Sequence, residues 1–181
     1  MILYHSGFQI IKEPDIYHGR KNADFGQGFY LSPEEDFSRR WAKYQKGQES
    51  WINRYELDIN GLNILNLQRD EEWFELIYAN RHGQYRESEY DVICGPMAND
   101  TIYDTLGIIT SGFLSKKEAL ELLLIGNEYQ QVVLRSEKAV QQLQWLSAER
   151  IAETDLKKYA KLVKEEEGTY QMLLAEKLEE M

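Results

Sequence analysis

The chain has little cysteine, little proline and no long apolar run. Its 181 residues include one cysteine and three prolines. A single cysteine cannot close an internal disulfide, and Cys94 lies in an apolar run, where a buried, unreactive thiol is expected. No run approaches the roughly 20 apolar residues that a membrane-spanning helix needs, and residues 1–5 lack the pattern of a secretory signal. We therefore expect a cytoplasmic protein without a membrane partner.

Basic residues are also scarce, because 21 Lys and Arg face 31 Asp and Glu, for a net charge of −10. Nucleic-acid affinity depends heavily on neutralising phosphates, so the composition favours a protein target over a nucleic acid. The histidines at 5, 18 and 82 stand far apart and no CxxC or HExxH occurs, so no metal is expected. Gly26-Gln27-Gly28 does not extend to a GxGxxG or a P-loop.

Hydrophobic periodicity predicts strands and helices that alternate through the first hundred residues. Strands are predicted at 1–8, 52–60, 90–96 and 131–134, and a short aromatic strand is predicted at the end of the segment 24–32. A short apolar run follows the Gly61 turn at 62–67. Helices are predicted at 34–46 with Ser32 as the cap, from Asp70, from the capping box at Ser115, and from Ser136 through Leu146.

The C-terminal segment of the chain changes in composition, and residues 147–181 are rich in Lys, Glu, Ala and Leu. We predict two helices broken near Gly168, either packed on the domain or available to a partner protein. The pattern therefore divides the chain into an α+β domain at 1–146 and a helical extension at 147–181.

Three positions on predicted strands could carry chemistry. His5 lies late in the first strand, Tyr30 in the second, and Glu128 and Gln131 at the start of a late strand. Taken singly, a strand histidine is more often structural and a tyrosine in an aromatic strand is more often part of the core. Periodicity alone leaves both interpretations open.

The combination resembles a known family, the DUF3990 family of the ADP-ribosyltransferase superfamily, in the division marked by His, Tyr and a variable Glu, Asp or Gln. The resemblance covers roughly residues 1–145 and departs from the usual YHGS order, since Ser6 and Gly7 are exchanged. The motifs that carry it are LYHSG at 3–7, PDIYHGR at 14–20, DFGQGFYLS at 24–32, Trp41-Ala42, YDVICGPMANDT at 90–101 and QVVLRSEKAV at 131–140.

The resemblance implies a split, mostly antiparallel sheet that encloses an NAD cleft, with NAD as the substrate. His5 would bond ribose hydroxyls, and the backbone at Ser6 and Gly7 would hold the nicotinamide carboxamide. Gly28, Phe29 and Tyr30 would also bind the cofactor, with the Tyr30 ring stacked on the nicotinamide ring. Arg20 or Arg39 would meet the pyrophosphate.

The third motif position has two candidates under this resemblance. Alignment through residues 135–138 places Gln131 there, whereas Asn127-Glu128-Tyr129 resembles the Asn-Glu-Tyr of poly-ADP-ribose polymerases. The two residues would face opposite ways on a strand, and Gln131 is favoured.

The activity implied is transfer of ADP-ribose from NAD to an unidentified macromolecular target. A bacterial toxin or defence effector would fit this activity, with an antitoxin or another partner bound through the C-terminal helices. The alternatives are a non-catalytic NAD-binding, nucleotide-binding or protein-interaction module on the same fold and an NAD glycohydrolase, which differs from the transferase only in using water as the acceptor.

Overall fold

Two β-sheets meet at strands β1 (Ile2–Gly7) and β2 (Phe29–Leu31) in the computed structural model, which describes residues 1–84, 89–98 and 115–180. The first sheet has the order β1, β3 (Ser50–Leu57), β7 (Leu143–Ile151). The second has the order β2, β6 (Gln130–Leu134), β5 (Val92–Pro96), β4 (Ile64–Asn66). All described pairs are antiparallel except β4 with β5.

Among the described residues, one pair forms a backbone bridge between the two sheets. The Tyr4 amide donates to the Ser32 carbonyl (2.8 Å), and the Ser32 amide donates back to the Tyr4 carbonyl (2.9 Å). Beyond this bridge β1 continues along β3, while β2 continues along β6. The strands therefore diverge and open a gap between the sheets.

Five helices complete the described part of the fold, and three of them begin where the sequence predicts. Asp70 caps α2 (Glu71–Arg81) by accepting from the Trp73 amide, and Ser115 forms a capping box with Glu118 at α3 (Lys116–Leu123). Ser136 caps α4 (Glu137–Gln141) by accepting from the Ala139 amide. The remaining helices are α1 (Glu35–Arg40) and α5 (Glu153–Glu180). The predicted class, α+β with mostly antiparallel sheets and a helical C-terminus, is confirmed.

The prediction of one helix over 34–46 is wrong, since α1 ends at Arg40 and its N-cap is Glu34 rather than Ser32. The Ser32 hydroxyl instead accepts from the Glu34 amide (3.0 Å), while the Ser32 backbone is held in the bridge to β1. Phe37, Trp41 and Tyr44 recur at the spacing of an amphipathic helix. They do not form one buried face, because Phe37 is buried whereas Tyr44 is 42% exposed.

The helix predicted from Ser136 through Leu146 is also wrong, because α4 stops at Gln141 and residues 143–151 form β7. The strand pairs with β3 along its length. That pairing joins segments about ninety residues apart, so local periodicity gave no sign of it. The predicted boundary between 146 and 147 falls inside β7, and the helical segment begins at Glu153.

Helix α5 is continuous, so the predicted break near Gly168 is wrong. Glycine costs about 1 kcal/mol relative to alanine within a helix, but Gly168 is exposed and sits among good helix formers. Packing on both sides also holds the helix in register. Leu156 packs with Ile52 and Ile151 of the first sheet, and Tyr170 and Leu174 enter the core beneath the second sheet.

The core has two main layers. One lies between the sheets, where Leu3 and Tyr55 of the first sheet meet Phe29 and Val132 of the second. The other lies between the second sheet and the helices α2, α3 and α5. None of the helices in the described ranges is long and apolar enough to cross a bilayer. The C-terminal part of the 90–101 motif, from Asn99 onward, lies outside the described residues.

The docking of α5 predicts a contrast between two adjacent leucines. Leu174 is 5% exposed in the core, whereas Leu173 is 42% exposed on the same helix. We expect Leu174→Ala to lower the free energy of unfolding by about 2–5 kcal/mol, and Leu173→Ala to lower it by less than about 1 kcal/mol. Urea titrations followed by tryptophan fluorescence measure both, and equal losses would show that this face of α5 is not docked.

Candidate functional site

A pocket of about 180 Å³ lies where β1 and β2 diverge. It combines residues from both sheets, from α1 and from the ends of β5 and β6. Its lining residues are Tyr4, His5, Ser6, Tyr30, Leu31, Ser32, Phe37, Ser38, Trp41, Met97, Gln130 and Gln131. The three residues favoured from the sequence, His5, Tyr30 and Gln131, therefore lie around one cavity.

The His5 imidazole fills the gap between the diverging strands. Its Nδ1 lies 2.8 Å from the Tyr30 carbonyl oxygen, and its ring packs against the Phe29 ring with the centroids 4.9 Å apart. A carbonyl oxygen only accepts, so Nδ1 carries the hydrogen and Nε2 presents a lone pair. Burial lowers the pKa of His5 below its ordinary value. At neutral pH the site therefore holds an uncharged imidazole that can accept a hydrogen bond at Nε2.

Tyr30 alternates with Phe29 along β2, so its side chain lies on the face of the strand opposite the Phe29 ring that packs against His5. The Tyr30 ring packs against the core beneath the second sheet. Its hydroxyl donates to the Gly26 carbonyl (2.7 Å) and accepts from the Phe25 amide (3.0 Å). Burial, with the nearby Asp24 carboxylate, raises the pKa of Tyr30. The phenol stays protonated and can serve as a wall of the site but not as a base.

Gln131 is 3% exposed and contributes an amide to the pocket. Its Nε2 makes a long hydrogen bond of 3.5 Å to the Pro96 carbonyl. Glu128 does not line the pocket: it is exposed, and its carboxylate accepts from Gln130 Nε2 at 2.7 Å. The described lining thus holds an amide at the third position and no carboxylate.

Ser6 lines the pocket and bonds to the hydroxyl of Ser38 on α1 (3.1 Å). Gly7, Gly28 and Phe29 are not among the lining residues. A side chain at Gly28 would overlap the Leu134 carbonyl oxygen, so glycine there allows the chain to pack against β6. Phe29 belongs to the core between the sheets.

The two arginines proposed for the pyrophosphate differ in their surroundings. Arg39 is held by two carboxylates, Glu35 (2.8 Å) and Glu149 (3.0 Å), so its charge is already matched. Arg20 is exposed. Its positive charge is close enough to Tyr30 to lower the pKa of that residue slightly, against the larger increase caused by burial. Neither arginine lines the pocket itself.

Sequence reasoning missed the α1 side of the pocket. Phe37, Ser38 and Trp41 all line it, and the Phe37 ring stacks on Tyr129 with the centroids 4.3 Å apart. The helical spacing of Phe37 and Trp41 indicates an amphipathic helix, and only the folded chain shows that these residues border the cavity. Among the described residues no cluster of three or more His, Cys, Asp or Glu could hold a metal ion.

Residues 1–145 match the model of a family described as a protein of unknown function, DUF3990. The chain belongs to the DUF3990 family. No curated protein and no solved structure matches it. The matched region of this DUF3990 protein contains every lining residue of the pocket and ends within β7, so α5 lies beyond it.

The half-buried, neutral His5 predicts a pH dependence of stability. Because the folded-state pKa of His5 lies below the unfolded value of about 6.5, the unfolded chain binds the proton first as the pH falls. The contribution of His5 to the free energy of unfolding is therefore fully present above about pH 6.5, and it is lost as the pH falls from there toward the folded-state pKa.

We expect the unfolding free energy of the wild type, relative to that of His5→Asn, to fall across this window by at most about 1.4 kcal/mol per pH unit. Asparagine keeps a donor for the Tyr30 carbonyl and does not titrate. Denaturant titrations between pH 8 and pH 5 measure the difference, and parallel curves would show that His5 titrates alike in both states.

Proposed function

We propose that this DUF3990 protein is an ADP-ribosyltransferase that cleaves NAD at the pocket between the sheets, as its resemblance to the ADP-ribosyltransferase superfamily suggests. The observation that carries the proposal is the gathering of His5, Tyr30 and Gln131, from three strands, around one cavity. The proposed acceptor is a protein, since a net charge of −10 disfavours nucleic acid.

The size and lining of the pocket suit one end of the dinucleotide. Drug-sized ligands occupy pockets of about 300–1,000 Å³, so 180 Å³ fits a single-ring group such as nicotinamide. The aromatic side chains of Tyr30 and Trp41 give a flat ring apolar walls, and the hydroxyls of Ser6 and Ser38 can bond its carboxamide. The remainder of NAD would extend outward, toward the exposed guanidinium of Arg20.

The residues then take distinct roles. His5 Nε2 accepts a hydrogen bond from a ribose hydroxyl, which fixes the sugar against the pocket. The bond between the sugar and nicotinamide breaks with its electron pair leaving on nicotinamide, and the sugar becomes oxocarbenium-like. Gln131 orients the ribose by hydrogen bonding. The acceptor nucleophile bonds to the sugar carbon and releases its proton to solvent.

The amide at the third position also supports a second candidate function. A carboxylate would stabilise the developing positive charge, and the described lining has none. This favours a non-catalytic NAD-binding or protein-interaction module on the same fold. Hydrolysis of NAD by water remains a third candidate that differs only in the acceptor.

The first prediction for this function concerns binding. A ligand that binds only the folded state raises the melting temperature, so we expect NAD to raise that of the wild type. Tyr30→Ala should show a smaller shift, since losing an aromatic contact costs on the order of 1 kcal/mol of affinity. Thermal shift assays at matched NAD concentrations measure this. Equal shifts in the two proteins would show that Tyr30 does not contact the nicotinamide ring.

The second prediction separates the candidates for the third position. We expect Gln131→Ala and His5→Ala to slow nicotinamide release roughly tenfold, as loss of one or two hydrogen bonds would. Glu128→Ala should change it by less than about twofold, because Glu128 lies outside the pocket.

Nicotinamide release is measured with and without cell extract as the acceptor source. A loss of the order of 100-fold to 1000-fold in Glu128→Ala would instead identify a catalytic carboxylate. A wild type that binds NAD yet releases no nicotinamide would favour the binding module.

A further inference from the structure

The turn at residues 24–26, which leads into β2, is held by the hydroxyl of Tyr30. That hydroxyl donates to the Gly26 carbonyl (2.7 Å) and accepts from the Phe25 amide (3.0 Å). The Gly26 amide closes the turn on the Ala23 carbonyl (2.8 Å). One side chain of the candidate site is thus tied to the backbone four and five residues before it.

Two other elements hold the same turn from outside the pocket. Asn80 of α2 donates to the Asp24 carbonyl (2.9 Å), and Arg135, just after β6, donates to the Phe25 carbonyl (2.6 Å). Side chains from β2, α2 and the end of β6 therefore converge on three consecutive backbone units. A turn with its carbonyls and amides bonded in this way has little freedom to move.

The Asp24 side chain adds a buried ion pair to this arrangement. Asp24 is 5% exposed, and its carboxylate accepts from Arg81 Nη2 (2.7 Å) and Nε (3.1 Å) and from the Ala98 amide (3.3 Å). Gly26 has φ near +77°, and a side chain there would press on the Arg135 guanidinium. Neither Asn80, Arg81 nor Arg135 lines the candidate pocket.

We propose that the Tyr30 hydroxyl and Arg135 are positioning groups, which fix the turn at 24–26 and thereby hold the Tyr30 ring at the wall of the candidate NAD site. This inference rests on the proposed function. Tyr30 then contributes through the orientation of its ring, and its hydroxyl acts only as the anchor. A ring fixed before the substrate arrives reduces the cost of reaching the reacting geometry.

The test is the rate of nicotinamide release by Tyr30→Phe, which keeps the ring and removes both hydrogen bonds of the hydroxyl. We expect kcat to fall on the order of tenfold while KM changes little, because the contact area is kept and the alignment is lost. Arg135→Met removes the hydrogen bond to the Phe25 carbonyl on the other side of the turn, and it should also lower kcat. Arg135→Lys restores a cationic donor and should recover part of the loss.

The two changes should not add in the double variant. Both act through one turn, so Tyr30→Phe with Arg135→Met should lose no more than the more severe single variant. Amide hydrogen exchange of the peptide spanning residues 24–31 should quicken in each of them. All rates are measured well below the melting temperature of each variant.

Tyr55→Phe is the matched control. It also deletes a buried tyrosine hydroxyl bonded to a loop carbonyl, that of Ile11 (2.7 Å), but it contacts neither the turn nor the pocket. Its kcat and its exchange over residues 24–31 should match those of the wild type.

The outcomes separate this inference from the proposed function. If the wild type releases nicotinamide and Tyr30→Phe keeps its kcat, the positioning role is overturned and the proposed function stands. Faster exchange without loss of kcat, or fully additive losses, overturns it as well. A wild type that releases no nicotinamide overturns the proposed reaction and this inference with it.

Discussion

The hydrogen bond from His5 to the Tyr30 carbonyl stands at the point where two sheets stop pairing. One residue pair, Tyr4 with Ser32, joins β1 to β2. One residue further along β1, the imidazole bonds the backbone that a continuing strand would have bonded. The gap therefore opens without leaving this carbonyl unpaired, which would be costly in a buried position. The same bond fixes the tautomer of the histidine, so the geometry of the split also sets the chemistry of the pocket.

The layers around this gap keep it in place from both sides. The core between the sheets packs behind Phe29, while the second core, with α2, α3 and α5, packs behind Tyr30. Helix α5 packs against both sheets, since Leu156 contacts the first sheet and Leu174 lies in the core beneath the second. Glu166, between these anchors, accepts from Arg40 of α1 (2.5 Å) and from the Tyr129 hydroxyl (3.0 Å). The helix thus ties the α1 wall of the pocket to the rest of the fold, although it lies outside the matched family region.

The electrostatic character of the pocket follows from burial more than from charge. Its described lining residues include no carboxylate, lysine or arginine, and two arginines outside it are paired with carboxylates: Arg39 with Glu35 and Glu149, and Arg81 with Asp24. A neutral imidazole, an amide and hydroxyls remain. Such a set binds and orients a polar ring and a sugar well, but it supplies little direct stabilisation to a developing cation. A non-catalytic binding module is therefore a candidate function as well as an enzyme.

The amino-acid sequence by itself determined the local features and the family. Caps at Asp70, Ser115 and Ser136 could be predicted because the capping side chain and the amide it satisfies are three residues apart. The strands at 1–8 and 131–134 and the motifs around His5 and Tyr30 were likewise visible, because alternation and glycine spacing are local signals.

Only the tertiary structure decided the remaining features, since each depends on contacts between distant segments. Residues 143–151 became a strand because β3 offered an edge to pair with, and Gly168 stayed helical because Leu156 and Leu174 are anchored on either side of it. Gln131, rather than Glu128, reaches the pocket because β6 begins at Gln130, so Glu128 lies in the exposed segment before the strand. Trp41 became a wall of the cavity only through the way α1 packs beside β1, which no spacing within residues 34–46 specifies.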